Sequence, residues 1–164
     1  MELALTKLDR AHSAKLAKHY ARLDPSSARL RFCAPITPEA ASRHADRIDW
    51  THGAVVGAFG PDGEIRAVCE ILADPSGNGA ELALSVEAPW RAKGVGTAVS
   101  RAALLEAGKL GVVRAIASCL PENRGMQRIA EKLNGRVTAR DMDGVETEIR
   151  ISGGPTVDAF GAAA

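Results

Sequence analysis

The stretch Glu81–Gly96, ELALSVEAPWRAKGVG, decides the fold. Leu82 and Leu84 alternate with small or polar positions, so Ala80–Val86 is expected to be a strand. Glu87-Ala88-Pro89 ends it, and Trp90–Gly94 reads as a basic loop. An apolar stripe of Val95, Val99, Ala102, Ala103 and Leu110 then predicts a long helix, with Gly111 as its stop. Small residues at the strand–helix junction let the backbone turn tightly and approach a ligand. The first amides of a helix have no internal partner, and the helix dipole makes that end mildly positive. Arg91 and Lys93 add full charges, so Arg91–Thr97 has the makings of a pyrophosphate cradle. The phosphate loop G-x-x-x-x-G-K-[ST] is missing, and the third glycine of the dinucleotide fingerprint is replaced by Val99. A tight turn that binds nothing remains the other reading of Gly94-Val95-Gly96.

Outward from this segment the chain reads as alternating elements. Met1–Leu5 is expected to be a short first strand. Asp9 caps a helix from about Arg10 to Leu23, with Leu16, Tyr20 and Leu23 on one face. Asp24-Pro25-Ser26-Ser27 breaks it, and Arg29–Phe32 is left as a turn or short helix. Thr37 caps a second helix toward Ile48, with Pro38 at its first position. Ala54–Phe59 and Glu64–Ala73 flank the turn Gly60-Pro61-Asp62-Gly63, and Asp74–Gly79 turns the chain into Ala80–Val86. After the long helix, Val113–Leu120 reads as a buried strand. Pro121-Glu122-Asn123 caps a helix carrying Met126, Ile129, Ala130 and Leu133, and Arg136–Arg140 with Val145–Ile151 forms a terminal hairpin. The expected fold is a mixed α/β sheet with helices on both faces. Residues 1–151 are expected to be a single domain, and the Gly/Ala-rich 152–164 a flexible tail.

Composition narrows the function. The 164 residues hold 21 Lys+Arg against 20 Asp+Glu, a net charge of +1, and only 4% aromatics, which disfavours nucleic acid as a partner. No apolar run approaches the length of a membrane span, and MELALTKLDR lacks the features of a signal peptide, so a cytoplasmic protein is expected. Cys33, Cys69 and Cys119 are expected to be small core residues. His12, His19, His44 and His52 show no metal-ligand spacing and are read as surface or capping residues, so no metal is expected.

The segment Glu81–Gly96, the helix and strand after it, and Asn123-Arg124-Gly125-Met126 together resemble the GNAT superfamily of acyl-CoA-dependent N-acyltransferases. Arg91, Gly94 and Gly96 meet the family pattern [Q/R]-x-x-G-x-[G/A]. Ser27–Phe32 (SARLRF) with Pro35 is similar to a segment of the bacterial protein-lysine acetyltransferases, with Ala28 in place of a usual Arg. The resemblance implies a mostly antiparallel sheet splayed between its two middle strands, with acetyl-CoA as co-substrate in the splay. Its pantetheine would pair with backbone near Leu84 and Val86. Its pyrophosphate would take amides of Lys93, Gly94, Val95, Gly96 and Thr97, and Asn123 would contact the pantetheine arm.

Glu81, in Ala80-Glu81-Leu82-Ala83, matches the family's general base, and desolvation is expected to raise its pKa. An edge-strand surface glutamate is the other reading. Glu70 is the second candidate, either an inward carboxylate or the solvent face of its strand. The family's tyrosine acid is replaced by Ala130, and the single tyrosine, Tyr20, is better read as a core residue with its hydroxyl at the surface. Arg29 and Arg31 are read as a solvated face near the acceptor mouth. The implied activity is acetyl transfer to a primary amine, on a protein lysine or a small molecule, by direct attack in a ternary complex. The alternative is a catalytically silent acyl-CoA sensor. The terminal hairpin of this fold often mediates dimers in relatives, so a homodimer is one assembly that the resemblance allows.

Overall fold

The computed structural model describes residues 3–74 and 79–151. Seven strands form one sheet: β1 Ala4–Lys7, β2 Gly53–Phe59, β3 Ile65–Ala73, β4 Ala80–Val86, β5 Arg114–Cys119, β6 Arg136–Arg140 and β7 Val145–Arg150. Their spatial order is β1-β2-β3-β4-β5-β7-β6. Every neighbouring pair is antiparallel except β4 and β5, which are parallel. A parallel pair needs a crossover, and α4 (Val95–Lys109) supplies it.

Five α-helices cover both faces. On one face α1 (Ser13–Arg22), α2 (Pro25–Phe32) and α3 (Pro38–Arg43) bury Leu16, Tyr20, Ala28 and Ala41 against Val55 and Val68. On the other, α4 and α5 (Arg124–Lys132) bury Val99, Ala103, Ala107, Met126 and Ala130 against Ala54, Val56, Cys69 and Leu82. The alanines of α4 let it lie close on the sheet, since a small side chain leaves little to separate helix from strand. Side-chain caps fix the helix starts as expected. Asp9 accepts from Ala11 N, Thr37 Oγ1 from Ala40 N and Asn123 Oδ1 from Met126 N.

Several expectations are corrected. The first helix opens with a 3-10 turn, Arg10–His12, before α1, and α3 likewise passes into a 3-10 turn, His44–Arg47. Asp24-Pro25 ends α1 but also starts α2: Asp24 accepts from Ser27 N, and Pro25 sits where no amide partner is needed. Three helices therefore precede β2. Cys33 ends α2 in a left-handed conformation and is exposed, unlike buried Cys69 and Cys119. Met1 and Glu2 of the expected first strand, residues 75–78 of the expected turn and the expected tail 152–164 lie outside the described residues. No helix among the described residues is long and apolar enough to cross a membrane.

Candidate active site

β4 and β5 pair over only two positions, Ala80 with Ala115 and Glu81 with Ile116, although β4 runs on to Val86 and β5 to Cys119. Beyond Glu81 a gap opens. The antiparallel ladder with β3 shows which backbone groups face it. Glu87 N donates to Arg66 O at 3.0 Å, so the flanking pair Ala67–Val86 is a non-hydrogen-bonded one. Val86 therefore turns its N–H and C=O away from β3. By the two-residue period Leu84 does the same. These are the two residues expected to pair with an extended ligand.

The loop after β4 ends on Gly94, at φ +79°, which serves as the N-cap of α4 without any side-chain cap. The amides of Val95, Gly96 and Thr97 thus open the helix without a capping side chain. Gly96 is a close approach: a Cβ there would lie 2.8 Å from Ile129 Cδ1, 3.3 Å from Leu84 Cδ2 and 3.5 Å from Val86 Cγ2. The two basic side chains turn elsewhere. Arg91 Nε donates to Val86 O at 3.0 Å and its Nη2 to Ser27 Oγ on α2, while Lys93 Nζ donates to Pro89 O at 3.0 Å. Asn123 stands at the N-cap of α5, its Oδ1 taken by Met126 N at 3.1 Å.

Glu81, Ala83 and Ser85 point to the face carrying α1 and α2. Glu81 is exposed rather than buried. It makes no hydrogen bond or ion pair with any described residue. It lines a cavity of about 530 Å³ with Ser118, Glu146 and Glu148.

Glu70, on the same face of β3 and paired with Ala83, is 1% exposed, which settles it as an inward carboxylate. Tyr20 donates its hydroxyl to Glu70 Oε1, Arg31 Nη2 lies 3.1 Å from Oε2 and His44 Nε2 lies 3.0 Å from Oε2. Tyr20 is thus a core residue whose hydroxyl meets Glu70 rather than the surface. Arg31 is not on a solvated face: burial brings its guanidinium down to about 10. Arg29 stays exposed and pairs with Glu122 at 2.6 Å. Burial, then the Glu81 charge, pushes the Glu70 carboxyl up to about 8. Burial, then the Arg31 charge, brings His44 down to about 4, so it is neutral at pH 7.

A carboxyl raised on folding binds more protons in the native state. Its contribution to stability is full below its unfolded pKa of about 4.3 and is lost as pH rises through about 8. Glu70→Gln is therefore expected to flatten the decline of urea-unfolding free energy between pH 5 and about 8. An unchanged slope would show that Glu70 is ionised throughout.

His19 and His44 correct the surface assignment of the histidines. His19 is fully buried on α1, with Nδ1 3.1 Å from Glu87 Oε1 and Nε2 2.8 Å from Ser85 Oγ. Desolvation lowers its pKa, which keeps it a neutral bridge. Glu87 also accepts from Arg22 Nε at 3.0 Å and Arg66 Nη1 at 2.9 Å. This network holds the end of β4 from the α1 side, where β5 no longer supports it.

The family model of the acetyltransferase (GNAT) domain matches residues 2–136. The chain belongs to the GNAT acetyltransferase family. No curated protein matches it by sequence. Among solved structures, the GNAT domain of S. lividans PAT superposes with a TM-score of 0.79 at 20% identity, over 90% of each chain. The yncA acetyltransferase of Salmonella typhimurium, solved with its cofactor acetyl-CoA, gives 0.73 at 15% identity over 98% of this chain and all (100%) of the other. The PaiA N-acetyltransferase of Thermoplasma acidophilum, solved with coenzyme A, gives 0.69 at 17% identity over 92% and 99%. At such identities these neighbours share the fold.

In this GNAT domain the structure gathers Leu84, Val86, Gly94, Val95, Gly96 and Thr97 around the gap, with Asn123 on the strand-to-helix turn beyond β5. Glu81 stands at the fork and Glu70 behind it. Ala130 is buried in the core and brings no hydroxyl to the gap. No local pattern marks Tyr20, Glu70, Arg31 and His44 as a unit. Its one hint was Glu70 among apolar neighbours, since a carboxylate inside a central strand must find partners.

Proposed function

We propose that the protein transfers an acetyl group from acetyl-CoA to a primary amine, of a protein lysine or of a small molecule, by direct attack in a ternary complex. The parting of β4 from β5 supports this most. It leaves strand-like partners at Leu84 and Val86 for the amides of the pantetheine arm, beside bare helix amides for the diphosphate. Gly96 fits the same occupant, because only a residue without Cβ leaves the wall of Leu84, Val86 and Ile129 undisturbed.

The acceptor side favours an amine. The cavity beside Glu81 is also lined by Asp74, Glu146 and Glu148 against a single cation, Arg114, which pairs with Glu148, so the balance of charge there is acidic and favours a cation over an acid. Glu81 would take the proton that the ammonium must lose before it can attack the thioester. The departing thiolate has an unperturbed pKa of about 8.5, so water can protonate it without a dedicated acid. The segment Ser27–Phe32, which lies on α2 beside this face, is the feature that points toward protein lysine.

Isothermal titration with acetyl-CoA is the direct test, followed by thiol release over a panel of amines and lysine peptides. Binding with a single site and turnover with at least one amine are expected; absence of binding at millimolar acetyl-CoA ends the reading. A silent acyl-CoA sensor is the second reading. It is favoured by Ala130 and by the commitment of the Tyr20 hydroxyl to Glu70. Binding without thiol release from any amine would select it.

A further inference from the structure

The flank of α5 turned away from the core breaks two electrostatic rules at once. Arg124 is the first residue of the helix, where the dipole disfavours a cation, and no acidic residue stands in the first turn. Arg128 follows four residues later, a like-charge spacing that destabilises a helix. A third arginine, Arg140, comes from β6. Arg124 Nη1 and Arg140 Nη1 both reach Gln127 Oε1, at 3.3 and 3.5 Å, and Gln127 is held in that orientation by its own Nε2 donating to Pro121 O at 2.9 Å.

None of the three guanidiniums has an ion-pair partner among the described residues. Lack of an ion pair is shared with Arg10, Arg43, Arg47, Arg91, Arg101 and Arg136; what sets these three apart is that they converge on one groove. The three line a groove of about 610 Å³, within the size range of small-molecule sites. A register shift between Val137 and Ala139 turns both Val137 and Arg140 toward α5, and Val137, 48% exposed, gives the groove an apolar wall. Glu131 also lines the groove and pairs with none of the three arginines. Met126 and Ala130 face the opposite way, into the core next to α4, so α5 itself separates this groove from the gap between β4 and β5.

We propose that this groove is a second anion site, which takes a phosphorylated small molecule with its phosphate held between Arg124, Arg128 and Arg140. A dianion answers several converging guanidiniums, whose forked donors match phosphate oxygens in pairs. Local rules broken together in this way mark a functional site, because the strain is relieved only when the missing charge arrives.

The test is isothermal titration of inorganic pyrophosphate into protein saturated with acetyl-CoA, so that the α4 amides are occupied. One binding event is expected. The double variant Arg124→Ala/Arg128→Ala should weaken it at least tenfold, and Arg140→Ala, on a different element, should weaken it as well. Acetyl-CoA affinity should stay unchanged. The unliganded double variant should melt no lower than the wild type, since two cations leave the positive end of a helix. Absence of pyrophosphate binding in the wild type would overturn the proposal. So would equal affinity for succinate, or a parallel loss of acetyl-CoA affinity in the variants. The inference does not rest on the acetyltransferase reading: the arginine variants report on the groove whether or not acetyl-CoA binds.

Discussion

Glu81→Gln is expected to lower kcat for acetyl transfer by roughly a hundredfold to a thousandfold, the range over which a positioned base acts. The acceptor amine has a pKa near about 10.4 and arrives as the ammonium at neutral pH. It must be deprotonated close to the thioester. Glu81 is the last residue of β4 with a ladder partner on β5, and its side chain stands on the acceptor face, at the fork itself. Its exposure makes the test clean. The side chain makes no hydrogen bond or ion pair with any described residue, so Glu81→Gln should leave both the melting temperature and the dissociation constant of acetyl-CoA where they were. The deficit should also shrink as the assay pH approaches about 10, where the free amine no longer needs a base. Wild-type rates in Glu81→Gln at pH 7 would remove Glu81 from the mechanism. Glu70→Gln would then be the variant to assay, although the Glu70 carboxyl is enclosed by Tyr20, Arg31 and His44.

The cofactor side of this site was legible in the sequence, and the acceptor side was not. The proposed partners of a diphosphate and an amide-bearing arm are backbone groups, and backbone geometry leaves local marks. An alternating strand, a glycine at positive φ and an uncapped helix start all fall within Ala80–Thr97. The acceptor side is assembled from side chains distant in sequence. Tyr20 and Glu70 are 50 residues apart, His44 and Glu70 are 26, and His19 and Glu87 are 68. No local pattern announces such pairs. The stretch Asp24–Ser27 shows a second limit. The same Asp-Pro pair that cannot continue one helix is an N-cap and first position for the next, so a stop and a start look identical until α2 is seen. Arg31 was misjudged for that reason. On a turn it would face solvent, but in the last turn of α2 it lies against β3, with Nη2 3.1 Å from Glu70 Oε2 and its guanidinium over the Tyr20 and Phe32 rings.

Gly96→Val is expected to weaken acetyl-CoA binding by roughly a hundredfold. The added Cβ would stand 2.8 Å from Ile129 Cδ1, closer than side-chain carbons approach, and the two γ-methyls would press further toward Leu84 and Val86. Ile129 Cδ1 is the far end of a flexible chain and can swing aside for a Cβ alone, so Gly96→Ala should cost far less. The branched side chain has no such way out, because Leu84 and Val86 sit on the free half of β4, whose outward N–H and C=O are the proposed partners of the pantetheine arm. Overpacking of this kind costs about 1–3 kcal/mol, and every 1.4 kcal/mol that reaches the bound state is a factor of ten in affinity. The free protein should lose only part of that amount, because beyond Glu81 β4 has no strand partner on the gap side, and the displaced side chains can lean into the gap when nothing occupies it. The signature is therefore a change in the dissociation constant of acetyl-CoA larger than the fall in unfolding free energy predicts, read by titration calorimetry beside urea denaturation. Equal binding by Gly96→Val and the wild type would mean that the arm does not lie along Leu84 and Val86, and the gap between β4 and β5 would need a different occupant.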